Sequence, residues 1–373
     1  MRQLTERYLT SLTLDDLHKK MVFISGPRQV GKTTMAMDLA PRGSRYLNWD
    51  VEEDRQFVLH QEIPLQRFVI YDEIHKFQRW RDYLKGVFDK YGHTKRILVT
   101  GSARLDYYRY SGDSLQGRYF LYRLHPLSVA ELGIETQKDF EALLNLGGFP
   151  EPFFSASQRE ARRWARDYQN RFIYEDVTSL EQTQYLTQMQ LLMERLPDLV
   201  ASPLSVNSLR EDLQLAHATV AKWLDIFARM YMIFRLSPFG SDQIKAVKKE
   251  QKHYHYNWAL VTDIGDRFEN LIACHLLKWV HFKQDSEGED YKLRYFRDRT
   301  GREVDFVVLR NNIPTMAIEV KTRGKDISKH LIYFKRKFPD VKAIQVYLKG
   351  NREFLSKDDI DCMSWKTFLT DLI

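Results

Sequence analysis

Four short apolar runs punctuate the first part of the chain: MVFISG (21–26), RYLNWD (45–50), RFVIYDE (67–73) and KRILVTGS (95–102). Polar stretches with helical spacing separate them, clearest in WRDYLKGVFDKYG (80–92). Strands this apolar are covered on both faces, so the alternation predicts a parallel sheet sheathed by helices. The reading is an α/β domain over residues 1–146, led by a short helix within residues 1–20. Gly147-Gly148-Phe149-Pro150 breaks the pattern. Residues 147–202 then read as a helical linker, with Trp164, Tyr168 and Phe172 spaced as a core-facing stripe. Residues 203–245 give helix (SVNSLREDLQL), turn, helix (HATVAKWLDIFARM) and strand (YMIFRLSP), the layout of a winged helix-turn-helix. Its second helix suits either a DNA groove or a packing and oligomerisation role, and carries only Lys222 and Arg229 as basic residues. Residues 250–373 return to mixed α/β: a helix at 263–280, strands at 292–297, 303–309, 315–321 and 342–348, and a helix at 326–337.

At 373 residues the chain exceeds one ordinary core, which agrees with several domains. No apolar run approaches the roughly 20 residues that span a bilayer, and the N-terminus lacks a secretory core. The expectation is a cytoplasmic protein with no membrane partner. Lys and Arg number 57 against 50 Asp and Glu, a net +7 that suits a polyanion without requiring one. Cys274 and Cys362 have no companion ligands nearby and read as buried free thiols, which excludes a disulfide scaffold. His253 and His255, flanking Tyr254, read as ordinary strand or loop histidines rather than a metal pair.

The chemistry concentrates in two places. Gly26-Pro27-Arg28-Gln29-Val30-Gly31-Lys32-Thr33 fits G-x-x-x-x-G-K-[ST], between an apolar strand and a helix that continues through Thr34. Backbone N–H groups and the helix start can cradle phosphate there, Lys32 can reach the β- and γ-phosphates, and Thr33 can ligate Mg²⁺. Asp72 ends the apolar run FVIYD, placed to hold Mg²⁺, and Glu73 is the candidate to polarise the attacking water. Thr100 and Ser102 end the next strand, where a polar group can sense the γ-phosphate. Arg118 is either a cation offered to phosphate across a subunit interface or an ordinary surface arginine.

The run ISGPRQVGKTT, then YLNWD, IYDEIHKFQRW, LVTGSAR, QGRYFLYRLHPLSVAEL and GGFPEP, resembles the AAA+-type ATPases of bacteria and archaea that carry a C-terminal domain of unknown function. The resemblance implies ATP binding and hydrolysis with Mg²⁺, and a homo-oligomer; it defines no cellular task.

The second place is Glu303-Val304-Asp305, a turn, then Glu319-Val320-Lys321. Read as a hairpin, alternation puts Glu303 with Asp305 on one face and Glu319 with Lys321 on one face of its partner. Carboxylates so gathered suit Mg²⁺ or Mn²⁺, and the lysine can position a water. The D-x(13)-E-x-K spacing resembles the PD-(D/E)XK nuclease fold, with Val304 where that pattern often has proline. The resemblance implies a site of Glu269, Asp305, Glu319 and Lys321. A hairpin of cross-strand charge pairs, or a relative that binds without cutting, fits the same residues. The basic stretch 321–337 suits either a phosphate backbone or solvent. Together these readings point to an ATP-driven protein that remodels, translocates along or cleaves DNA, with a nucleotide-dependent switch for a protein partner as the alternative.

Overall fold

The computed structural model describes residues 6–101, 105, 115–177, 185–240, 251–324, 326–350 and 352–373. The chain forms two compact units, Met1–Pro126 with Arg229–Tyr231, and Leu127–Ala228 with Met232–Ile373.

In the first unit, β1 (Met21–Ser25), β2 (Arg45–Asn48), β3 (Phe68–Asp72), β4 (Arg96–Thr100) and β5 (Tyr119–Arg123) make one sheet in the order β2-β3-β4-β1-β5. Every pairing is parallel, as the apolar runs predicted. β1 and β3 are buried at every position. β5 was not picked out as a strand from the sequence, although YFLYR is rich in aromatic β-formers; it lies at the sheet edge, mostly half-buried. Packing on one face gathers Phe23, Leu47, Tyr71, Trp80, Leu84 and Val99, with Phe23 stacked on Tyr119 at 4.4 Å. The parallel register sets Ile24 beside Thr100, Thr100 beside Asp72 and Asp72 beside Asn48. Loops leaving the carboxyl ends of these strands therefore share one edge, where open α/β sheets bind ligands.

The second unit opens with residues 127–146, which the sequence pattern had grouped with the first domain. Their burial explains the grouping. Val129 N–H donates to His275 Nε2 at 3.1 Å, Trp258 Nε1 donates to the Leu143 carbonyl at 3.1 Å, and Phe140 stacks on Trp365 at 3.9 Å. The predicted helix, turn, helix and strand occur as Val206–Leu213, His217–Arg229 and β6 (Ile233–Leu236). The last positions of the 203–245 segment lie outside the described residues. β6 pairs antiparallel with β8 (Lys252–His255), and β7 (Pro238–Phe239) sits at the edge of the larger sheet.

That sheet runs β13-β14-β12-β11-β10-β9-β7, with β9 at Tyr291–Arg297, β10 at Glu303–Arg310, β11 at Ile313–Arg323, β12 at Lys342–Lys349, β13 at Phe354–Leu355 and β14 at Ile360–Ser364. β10 and β11 form the expected antiparallel hairpin, and β11 pairs parallel with β12 after the helix Lys329–Lys337. The long helix Ile264–Glu287 is started by Asp263, whose Oδ1 accepts from the N–H groups of Gly265 (2.7 Å) and Asp266 (3.0 Å). The molecule is thus α/β in both units.

Candidate functional site

The loop after β1 is shaped by residues that few others could replace. Gly26 has φ +145°, and a Cβ there would lie 2.3 Å from the Leu124 carbonyl oxygen. Gln29 and Gly31 also take positive φ, at 60° and 97°, and Gly31 leads into the helix Lys32–Leu39. Positive-φ turns of this kind let consecutive N–H groups converge on an anion, and the helix start adds its positive end. Lys32, only 7% exposed, folds back over the loop and donates to the carbonyls of Gly26 (3.1 Å) and Pro27 (2.6 Å). Thr33 and Thr34 are exposed on the first helical turn.

Asp72 is the hub of the polar edge. Its Oδ1 accepts from Thr100 Oγ1 at 2.6 Å, and its Oδ2 accepts from Thr33 Oγ1 and Tyr46 Oη at 2.8 Å each. Three hydroxyls from three elements thus fix a buried carboxylate. This is a hard oxygen donor set, and Thr33 with Asp72 fits Mg²⁺. Tyr46 was not anticipated from the sequence; its place in YLNWD, on the strand next to β3, is the signal that could have found it. Burial, then the Asp72 charge, holds its phenol well above the usual range.

Glu73 follows Asp72 with φ 56°, a left-handed conformation unusual for glutamate and characteristic of positions held by function. Its N–H donates to the Thr100 carbonyl at 2.9 Å, so the neighbouring strand sets its direction. Burial raises its carboxyl above the ordinary value, while Lys76 (3.5 Å) and Lys32 pull it down. A carboxylate part-way desolvated is a better proton acceptor than one in water.

Ser102 lies outside the described residues. Arg118 precedes β5, at the end of the sheet where Met21 begins β1, one strand length from the phosphate loop. There it holds Asp89 through two hydrogen bonds, of 2.6 and 3.2 Å.

In the second unit Glu269, Glu303 and Asp305 gather around Lys252, which the sequence pattern did not single out, while Glu319 pairs with Lys321. Lys252, 1% exposed, reaches from β8 to Glu303 Oε1 (2.6 Å), Glu269 Oε1 (3.4 Å) and Asp305 Oδ1 (3.6 Å), with the Tyr295 ring 5.6 Å away. Tyr254 Oη donates to the same Glu269 oxygen at 2.7 Å. Asp305 Oδ2 accepts the Val320 N–H at 2.8 Å, and Glu319 Oε1 accepts from Lys321 Nζ at 2.7 Å. Irregular pairing of β10 with β9 between Val304 and Val307 aims this stretch. Burial alone would lower the Lys252 ammonium; Glu269, Asp305 and Glu303 outweigh it and hold it above its ordinary value. Burial, then the Asp305 charge, pushes the Glu269 and Glu319 carboxyls up.

Oxygen by oxygen, the cluster fits a divalent ion poorly. Glu269 Oε1, Glu303 Oε1, both Asp305 oxygens and Glu319 Oε1 already face an N–H, O–H or ammonium within 3.6 Å. Glu319 Oε2 is buried without a hydrogen-bond partner, and every contact made by Glu269 is through Oε1. Among the described residues no group of three or more His, Cys, Asp or Glu side chains is placed to hold a metal. His253 and His255 share the opposite face of β8 from Lys252, buried with ring centroids 5.7 Å apart, and Cys274 and Cys362 are buried free thiols. Among the described residues, no helix is long and apolar enough to cross a membrane.

Residues 18–133 match the family described as an AAA domain, in agreement with the parallel sheet of the first unit and the G-x-x-x-x-G-K-T loop that follows its first strand. Residues 137–268 and 264–368 match two domains of unknown function, DUF8612 and DUF4143. The uncharacterized protein Rv2008c of Mycobacterium tuberculosis is 22% identical over 343 residues, covering 83% of this chain and 75% of that protein. The uncharacterized protein MJ1637 of Methanocaldococcus jannaschii is 25% identical over 252 residues, 62% and 49% of the two chains. Among solved structures, a RuvB variant from Thermotoga maritima aligns at TM-score 0.29 and 15% identity over 61% of this chain and 87% of that one. The Aeropyrum pernix ORC1 protein in complex with DNA aligns at TM-score 0.34 and 10% identity over 71% and 91%. Likeness at these scores transfers nothing beyond itself.

Proposed function

We propose that this protein hydrolyses ATP and that its nucleotide state governs an action on DNA. The observation that carries hydrolysis is the Asp72 hub, tied by hydroxyls of Thr33, Tyr46 and Thr100, beside the desolvated Glu73. Bound with the triphosphate, Mg²⁺ supplies charge screening of the transferring phosphoryl group. Lys32 exchanges the carbonyls of Gly26 and Pro27 for β- and γ-phosphate oxygens, and the loop N–H groups hold the rest. Glu73 takes the proton of the attacking water, and Thr100 keeps the two acids in register, its hydroxyl donating to Asp72 and its carbonyl accepting the Glu73 N–H. Arg118, at the far end of its own sheet and paired with Asp89, lies away from the phosphate loop of its own chain, so as a phosphate contact it would serve only a second copy in a homo-oligomer.

The net charge of +7 and the helix-turn-helix order support DNA as the target. ATPase rates measured alone and with single-stranded, duplex and branched DNA test both halves. DNA stimulation that disappears in Lys32→Ala is expected, with Glu73→Gln as the control that binds without turnover. Phosphate release by wild type no faster than by Glu73→Gln sinks hydrolysis. Failure to bind any DNA at low salt sinks the target and leaves the partner-switch reading.

A further inference from the structure

The PD-(D/E)XK resemblance implies a divalent ion between the acids, yet the centre of that cluster already holds a cation. We propose that the Lys252 ammonium is the resident cation of the acid cluster in the second unit, taking the place of a divalent metal. The inference departs from the nuclease-like reading of this unit and is independent of ATP hydrolysis in the first.

The geometry is that of a small coordination site. Three carboxylates converge on one nitrogen, one from the helix Ile264–Glu287 and two from β10, while the Tyr295 ring faces it from β9. Two of the acids, Glu303 and Glu269, lie within hydrogen-bond reach of the nitrogen, and Asp305 adds its charge at 3.6 Å. Flanking charges are also matched within the chain: Arg297 lies 3.6 Å from Glu303 Oε2, and Lys321 binds Glu319. A dication entering here would have to displace an ammonium that is 1% exposed and anchored by a paired strand. Its like-charge repulsion with Lys252 acts in a poorly screened interior. The strand matters as well. β8 pairs with β6, directly after the second helix of the helix-turn-helix, so Lys252 ties that module to the acids of the large sheet. The cluster then serves as a positioning contact rather than a metal centre for phosphodiester cleavage.

The test uses the full chain without nucleotide. Mn²⁺ titrations followed by calorimetry and thermal unfolding should show no site in wild type that depends on Asp305. In Lys252→Ala the vacated cage should gain one Mn²⁺ site, raising Tm by about 5 °C at saturating metal. That gain should vanish in Lys252→Ala/Asp305→Asn. A wild-type Mn²⁺ site lost in Asp305→Asn overturns the proposal, as does a folded Lys252→Ala that binds no metal. Should Lys252→Ala not fold, ¹⁵N-lysine NMR of wild type decides. A protected Lys252 ammonium signal that survives Mn²⁺ supports the proposal; its disappearance through paramagnetic broadening overturns it.

Discussion

Gly26 offers the sharpest test of how the phosphate loop is built, because a second glycine serves as its control. Both Gly26 (φ +145°) and Gly43 (φ +85°) sit in backbone conformations that cost an L-residue on the order of 1–3 kcal/mol. They differ in space. A Cβ on Gly43 meets nothing within 4 Å, whereas one on Gly26 lies 2.3 Å from the Leu124 carbonyl oxygen, against an ordinary contact of at least 3.4 Å. Gly26→Ala therefore forces a displacement of about 1 Å. Leu124 cannot give way freely, because its N–H is bonded to the Ser25 carbonyl at 2.8 Å in the sheet register. The loop must move instead, and it carries the carbonyl that positions Lys32. A misplacement of that size at a reacting centre costs about 100-fold. Gly26→Ala should thus lower kcat/KM for ATP by about two orders of magnitude, while Gly43→Ala lowers Tm by a few degrees and leaves turnover unchanged. Steady-state ATPase and fluorescent-nucleotide binding on both variants measure this. Turnover in Gly26→Ala within roughly threefold of wild type, or an equal loss in Gly43→Ala, would refute the steric argument.

Other consequences can be checked in parallel. Glu73→Gln should keep ATP affinity while losing turnover by roughly 100-fold or more, read from single-turnover hydrolysis; loss of binding instead would assign Glu73 a structural role. Lys278 is buried, donates to Ser128 Oγ at 2.7 Å and pairs with Glu131, so Lys278→Met strands a carboxylate and should cost about 3–5 kcal/mol. Adding Glu131→Gln should recover much of that in denaturant titrations, and a double variant no more stable than the single one contradicts the pairing account. Burial holds His253, His255 and His275 at about 4, about 3 and about 4, below the ordinary 6.5. Their depressed values mean the unfolded chain takes up protons first. Stability is then full above pH 6.5 and falls toward pH 4 by up to about 1.4 kcal/mol per pH unit for each histidine. Denaturation midpoints that stay flat between pH 7 and 5 would reject this.

The sequence alone determined the parts whose signal is local. MVFIS, RYLN, FVIYD and RILVT announce buried parallel strands because both faces of each must be apolar. Gly26, Gly31, Lys32, Thr33, Asp72 and Glu73 stand at spacings that only strand, loop and helix geometry convert into a phosphate site. The hairpin of β10 and β11 was legible from its alternation and turn. What only the tertiary structure decided concerns residues brought together from afar. Tyr46 joins Asp72 because β2 lies beside β3, and edge strand β5 exists because β1 leaves a row of backbone groups to be paired. The break after Pro126 moved from the Gly147-Gly148 punctuation because Val129, Phe140 and Leu143 are bonded to or stacked on residues far along the chain. Lys252 is the clearest case. In KHYHYNW nothing distinguishes it from a surface lysine; only strand pairing with β6 turns it inward, where three carboxylates more than offset its burial. Local pattern specifies elements and motifs, but the partner of a buried charge is set by the fold.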